Sequence, residues 1–159
     1  MKSFLYSVLE IFEIVLVAVI AVFVIRNFLI QPFLVSGDSM RPNFSSGVYL
    51  LIAELSYQFR APQRWEVIVF HYPGDESVYY IKRTIGLPGE RLKINNGEIT
   101  IFNVEHPNGF VLDENYLPGG IKTSGNEEVI LGGSQYFVLG DNRNNSSDSR
   151  NGWVLPRQN

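Results

Sequence analysis

Residues 14–25 carry no polar side chain, and this constrains the chain more than any other stretch. Twelve residues are too few for a membrane span, which takes about 20. Leu9, Ile11 and Phe12 extend the run on one side, and Phe28, Leu29 and Ile30 on the other, so that residues 8–30 reach spanning length. Glu10, Glu13 and Arg26 then fall near the ends, where an arginine can snorkel to the headgroups. The leading reading is a transmembrane helix. A cleaved signal peptide fits less well: Lys2 and an apolar core are present, but no small-x-small site follows. A buried helix of a soluble protein is the third reading. Charge alone leaves the orientation open, because Lys2 lies on one flank and Arg26 and Arg41 on the other.

After Gln31-Pro32 the pattern turns from helix to strand. Phe33 to Val35 and Val48 to Ile52 are strand candidates. Residues 65–72 form an almost continuous apolar run closed by Pro73-Gly74, and residues 78–87 supply its hairpin partner, closed by Pro88-Gly89. Residues 91–94 and 98–102 flank Asn95-Asn96-Gly97, a strong hairpin signal because Asn-Gly tolerates positive φ. Residues 128–131 and 136–139 flank Gly132-Gly133 and are expected to form a further hairpin. Residues 103–127, rich in Gly, Pro, Asn and Glu, are expected to be a surface excursion. The fold class is therefore mainly β: a single N-terminal transmembrane helix (residues 1–31 with its tail), then an antiparallel β domain over residues 32–159.

Composition narrows the chemistry. With 159 residues and a net charge of -3, there is no electrostatic case for nucleic acid. The absence of cysteine removes disulfides, zinc thiolate sites and cysteine nucleophiles together. His71 and His106 are far apart and fit surface or strand-end positions better than metal ligation. Residues 140–150 hold a dense run of Asp and Asn. Arg143 stands where a calcium loop needs an oxygen ligand, and no terminal Glu follows. No cofactor or metal is expected.

If the chain does acyl chemistry, a serine activated by a lysine is the most economical apparatus it could use. Ser39 lies in Ser36-Gly37-Asp38-Ser39-Met40-Arg41-Pro42, and Lys82 in Tyr80-Ile81-Lys82-Arg83-Thr84. A lysine acts as base only when neutral. From a reference pKa of about 10.4 that takes a shift of roughly three, or about 4 kcal/mol against the charged form. Burial can supply it. Strand alternation puts Lys82 on the face of Tyr80 and Thr84, no acid is near it in sequence, and Arg83 adds positive potential that favours neutral lysine. Each residue alone also has an ordinary reading: Ser39 as a turn or cap residue, Lys82 as a solvated strand position. In the same way, residues 140–150 could be a loop of Asx turns and internal Asp–Arg pairs. The functional version adds a hydrogen bond from Ser146 that orients Lys82.

Taken together, these segments resemble the bacterial type I signal peptidases, membrane-anchored Ser–Lys endopeptidases that remove signal peptides. The resemblance rests on the anchor, Ser39-Met40-Arg41-Pro42, residues 64–70, the Lys82-Arg83 strand through Gly86-Leu87-Pro88-Gly89-Glu90, and residues 140–150. The lysine sets the chain apart from eukaryotic and archaeal relatives, which carry histidine there.

The resemblance implies Ser39 as nucleophile, Lys82 as general base and later acid, and Ser146 as the group that orients Lys82. It implies Arg83, Asp141, Asp148 and Arg150 as a structural charge network, and the Ser39 backbone N–H as an oxyanion donor. Many relatives use a serine hydroxyl two places before the nucleophile as second donor; here that place is Gly37. The resemblance further implies a monomer in the bacterial cell membrane, a single pass with an inside N-terminus, and the β domain on the extracytoplasmic face. Ser39 follows the span by about nine residues, at most roughly 30 Å of extended chain. Phe33, Leu34, Met40 and Phe44 are accordingly expected at the membrane interface. The substrates implied are preprotein signal peptides, bound as extended segments with small residues at P1 and P3. The C-terminus is expected to be short relative to the family, with a closing strand in question. Two rivals remain. One is another Ser–Lys peptidase, of the pilin, conjugation or self-cleaving repressor kind. The other is a non-catalytic membrane-anchored β binding module.

Overall fold

A computed structural model describes residues 2–24, 31–52 and 60–157. The chain divides into two units: Met1–Phe33 with Tyr49–Arg60, and Leu34–Val48 with Ala61–Asn159. The first holds a helix, α1 (Lys2–Val24), and most of a two-stranded ribbon, β1 (Gln31–Leu34) with β2 (Tyr49–Ile52). Within α1, Tyr6–Val24 has a mean hydropathy of 2.7 and none of it is buried. A helix of that length and composition is suited to lipid. The stretch expected to complete the span, including Arg26 and Phe28 to Ile30, lies outside the described residues.

The second unit is built from two four-stranded antiparallel sheets. One runs β10 (Leu155–Pro156), β9 (Gln135–Leu139), β4 (Asp75–Gly86), β3 (Val67–Tyr72), and the other β7 (Phe110–Val111), β6 (Glu98–Phe102), β5 (Arg91–Asn95), β8 (Glu127–Ile130). In the first, β3 (Val67–Tyr72) and β4 (Asp75–Gly86) form the expected hairpin, with Ile68 opposite Lys82. The next neighbour of β4 is β9 (Gln135–Leu139), with Arg83 opposite Leu139. A closing strand, β10 (Leu155–Pro156), pairs with β9.

In the second sheet, β5 (Arg91–Asn95) and β6 (Glu98–Phe102) are joined by the expected tight turn. Asn96 and Gly97 both take positive φ there, 52° and 90°, the geometry that keeps a two-residue hairpin in step with strand twist. Alternation does the rest: Leu92, Ile94, Ile99 and Ile101 point one way and are almost fully buried. They pack with Ile85, Phe137 and Leu139 of the first sheet into a single core. Each such side chain contributes about 1.5–3 kcal/mol.

Two expectations need correction. Gly132-Gly133 does not join a hairpin. The strand before it, β8 (Glu127–Ile130), pairs with β5, and the strand after it pairs with β4, so the glycines carry the chain from one sheet to the other. Local turn residues signal a change of direction; they do not choose the partner. That choice follows burial, since Tyr136 to Leu139 are buried throughout and need a neighbour on each side. Nor is the segment 103–127 only a surface excursion. It contributes β7 (Phe110–Val111) to the edge of β6, Leu112 to the core, and Thr123 at zero exposure. Its turn-forming composition hides these isolated anchors.

Candidate active site

The core face of β4 carries Ile85, while the opposite face carries Tyr80, Lys82 and Thr84. Lys82 is only 4% exposed. Its Nζ donates to Ser39 Oγ at 2.9 Å and to the Ile81 carbonyl at 2.9 Å. The amine sits 4.8 Å from the Tyr80 ring centroid. Tyr80 stacks on Tyr72, both lie against Trp153, and Phe70 meets Tyr80 and Trp153, which walls this side of the amine with aromatic carbon.

Burial pulls Lys82 from its ordinary 10.5 down to about 8, against the pull of Asp148 and then Asp141, which favour the charged form. The sequence shows no acid near Lys82; the fold brings two. Arg83 does not supply the expected positive potential either, because its guanidinium is forked onto Asp141, Nε to Oδ1 at 2.8 Å and Nη2 to Oδ2 at 2.6 Å. Dehydration alone is left to lower the lysine.

Ser39 sits in a turn of irregular backbone, anchored by its neighbour. Met40 is 1% exposed, which corrects its placement at a membrane interface: its side chain fills the domain instead. Leu34 is 56% exposed, and Phe33 and Phe44 are half-buried. Gly37 has φ 98°, a conformation strained for any residue with a side chain, so this backbone disfavours a serine donor at that place. Its N–H donates to Ser46 Oγ at 3.3 Å.

The loop 140–150 closes the site from the far side. Asp148 accepts from Gly140 N–H and from Arg150 through Nε and Nη2, both at 2.8 Å. Arg150 also donates to the Arg143 carbonyl. Asp141 and Asp148 are fully buried, so these are charge-assisted bonds in a dry setting. The four charged residues expected as a network do converge, as two pairs, Arg83–Asp141 and Arg150–Asp148. Ser146 departs from expectation: its Oγ is buried without a hydrogen-bond partner and does not bond Lys82. It rests on Gly140, where an added Cβ would collide with Ser146 Oγ and with the Ser39 carbonyl. The second acceptor for Nζ is the Ile81 carbonyl instead.

Several supporting groups escape sequence reasoning. Arg143, 2% exposed, donates to the Gly140 carbonyl, Thr123 Oγ1 and Tyr116 Oη, and pairs with Glu114 at 2.7 Å. Tyr116 packs its ring 4.1 Å beneath the Arg83 guanidinium, and burial pushes its phenol up. Glu90 is buried and held by Arg64, Asn103 and the Leu87 N–H. Burial, the largest single effect, pushes its carboxyl up, but these bonds, led by Arg64, together outweigh it and hold the group below the usual range. The one signal for Arg143 was its position inside the loop 140–150, but nothing there marks it as buried.

The signal peptidase model, peptidase S26, matches residues 8–159 of the chain. Signal peptidase I P of Bacillus subtilis subsp. natto is 32% identical, over 94% of this chain and 82% of that protein. A probable signal peptidase I-1 of Synechocystis is 35% identical, over 91% and 74%. Among solved structures, a signal peptidase I from Enterococcus faecalis superposes with a TM-score of 0.51 at 28% identity, covering 62% of this chain and 92% of that one.

Proposed function

The chain belongs to the signal peptidase family, peptidase S26, the serine peptidases that cleave signal peptides, and from that premise we propose that Ser39 is its nucleophile and Lys82 its general base. The observation that carries the reading is the 2.9 Å bond between Lys82 Nζ and Ser39 Oγ, made by a lysine that burial brings to about 8.

Neutral Lys82 removes the hydroxyl proton as Ser39 Oγ attacks the scissile carbonyl. The Ile81 carbonyl holds Nζ on that line. Negative charge on the tetrahedral oxygen is met by the Ser39 backbone N–H, the donor we assign to the oxyanion. Lys82, now charged, returns the proton to the leaving amine. Water then attacks the Ser39 ester with Lys82 again as base. Asp141, Asp148, Arg83 and Arg150 hold the site's backbone without touching the reacting atoms.

The substrates follow from the family: signal peptides of preproteins, bound as extended chain. The helix α1, apolar and unburied, supports membrane anchoring by a single pass. We assign the β domain to the extracytoplasmic face, the protein to a monomer, and Phe33, Leu34 and Phe44 to the membrane interface. The catalytic domain is assigned to residues 32–159, with residues 1–31 as its anchor. Of the alternatives, a binding module without catalysis does not explain the dehydrated lysine bonded to a serine.

The test is cleavage of a purified preprotein in detergent, with the cut mapped by mass spectrometry. Ser39→Ala is expected to abolish cleavage while leaving the far-ultraviolet circular dichroism unchanged. Normal processing by that variant would sink the assignment.

A further inference from the structure

Ser39 and Lys82 are 43 residues apart in sequence, so something must set their register in space. A productive dyad tolerates displacements of only about half an ångström. The lysine half is fixed by its ladders, since β4 is paired on both sides. The serine half is a turn that belongs to neither four-stranded sheet. Two asparagines tie it down. Asn142 donates its backbone N–H to the Ser39 carbonyl at 2.9 Å and its side-chain Nδ2 to the Asp38 carbonyl at 3.0 Å. Asn43, four residues beyond the nucleophile, uses both hydrogens of its carboxamide. One goes to the Tyr116 carbonyl at 2.9 Å, and the other to Asp141 Oδ2 at 2.8 Å.

That carboxylate oxygen is the same one that accepts Arg83 Nη2 at 2.6 Å, and Arg83 is the residue next to Lys82. A single buried oxygen therefore receives a bond from the lysine strand and a bond from the nucleophile turn. Tyr116, which supplies Asn43's other acceptor, lies with its ring under the same Arg83.

We propose that Asn43 is a positioning residue for the peptidase reaction, setting Ser39 against Lys82 by docking its turn on Asp141 Oδ2 and the Tyr116 carbonyl. The proposal rests on the Ser39–Lys82 reading above. Asn43 does not touch substrate; its effect reaches the reaction through the distance between Ser39 Oγ and Nζ. Loss of the dock should therefore lower kcat and leave KM within about twofold, because the displacement falls on the reacting Ser39 Oγ.

The test compares Asn43→Ala and the isosteric Asn43→Asp with wild type and Ser39→Ala in full-length protein, by steady-state preprotein cleavage and thermal unfolding. Asn43→Ala should lose about tenfold in kcat, with KM within about twofold, at a temperature where it is fully folded. Asn43→Asp keeps the shape but turns an oxygen toward Asp141, and should lose about a hundredfold. If that variant does not fold, the alanine variant decides. Either variant within about twofold of wild-type kcat, or an alanine variant whose loss lies in KM, would overturn the positioning role. Cleavage by Ser39→Ala would overturn the dyad reading itself, and this inference with it.

Discussion

Lys82→Met offers a linked test of activity and stability. Lys82 falls from 10.5 to about 8 on folding, so the unfolded chain binds more protons between those values. Stability should rise with pH through that window and be lost as pH falls through it. Below about 8 the full burden of about 3 kcal/mol is present, because the folded protein then buries a charged amine. The same value sets the neutral fraction, about a tenth at pH 7 and about nine tenths at pH 9. Cleavage measured as kcat/KM should therefore climb about tenfold between those pH values.

Urea unfolding, followed by the fluorescence of Trp65 and Trp153, reads the second consequence. Wild type should gain about 1 kcal/mol relative to Lys82→Met between pH 7 and pH 9. Methionine carries no proton, so its own curve should lack that increment. The inactive variant is also expected to be the more stable at pH 7, since an apolar chain of similar length relieves the buried charge. A flat kcat/KM profile over this range, together with identical pH slopes for the two proteins, would refute the reasoning.

Other perturbations probe the support. Arg143→Met strands Glu114 and Thr123 in a buried setting and should destabilise by about 3–5 kcal/mol, visible as a fall in Tm of about 10 °C. A Tm within about 2 °C of wild type would show that the Arg143 cluster carries no stability. Gly140→Ala places a methyl group against the Ser39 carbonyl, which is backbone and cannot swing aside, so kcat should drop by more than about tenfold. Wild-type turnover would contradict that packing. Gly97→Ala puts a side chain at φ 90° in the β5–β6 turn and should cost about 1–2 kcal/mol in urea unfolding with activity per folded molecule unchanged.

Much of the fold is legible in the sequence because its signals are local. An apolar run of spanning length, alternating strands and an Asn-Gly turn each follow from residues a few places apart, and the structure returns α1, the β3–β4 hairpin and the β5–β6 hairpin where they are expected. The helix covers the expected span only as far as Val24, the rest lying outside the described residues. Failures occur where the outcome depends on distant partners. Gly132-Gly133 announces a turn, yet the strands beside it choose neighbours from different sheets. Met40 looks apolar enough for lipid, but the interior claims it. Asn43, Tyr116 and Arg143 are unremarkable in sequence and matter only through groups tens of residues away.

The Ser39–Lys82 pair divides along the same line. Sequence alone pointed to Ser39 and Lys82 as candidates, because the motifs around them that carry the family resemblance are properties of the chain itself. It also determined that Tyr80 shares the lysine's face, since strand alternation requires it. Tertiary structure decided whether the pair could work. Burial is a property of everything packed around a group, and it is burial that overcomes Asp148 and Asp141 to bring Lys82 toward neutrality. Distance is equally non-local: the 2.9 Å between Nζ and Oγ spans a lysine strand and a serine turn that both bond to one carboxylate supplied by a third segment.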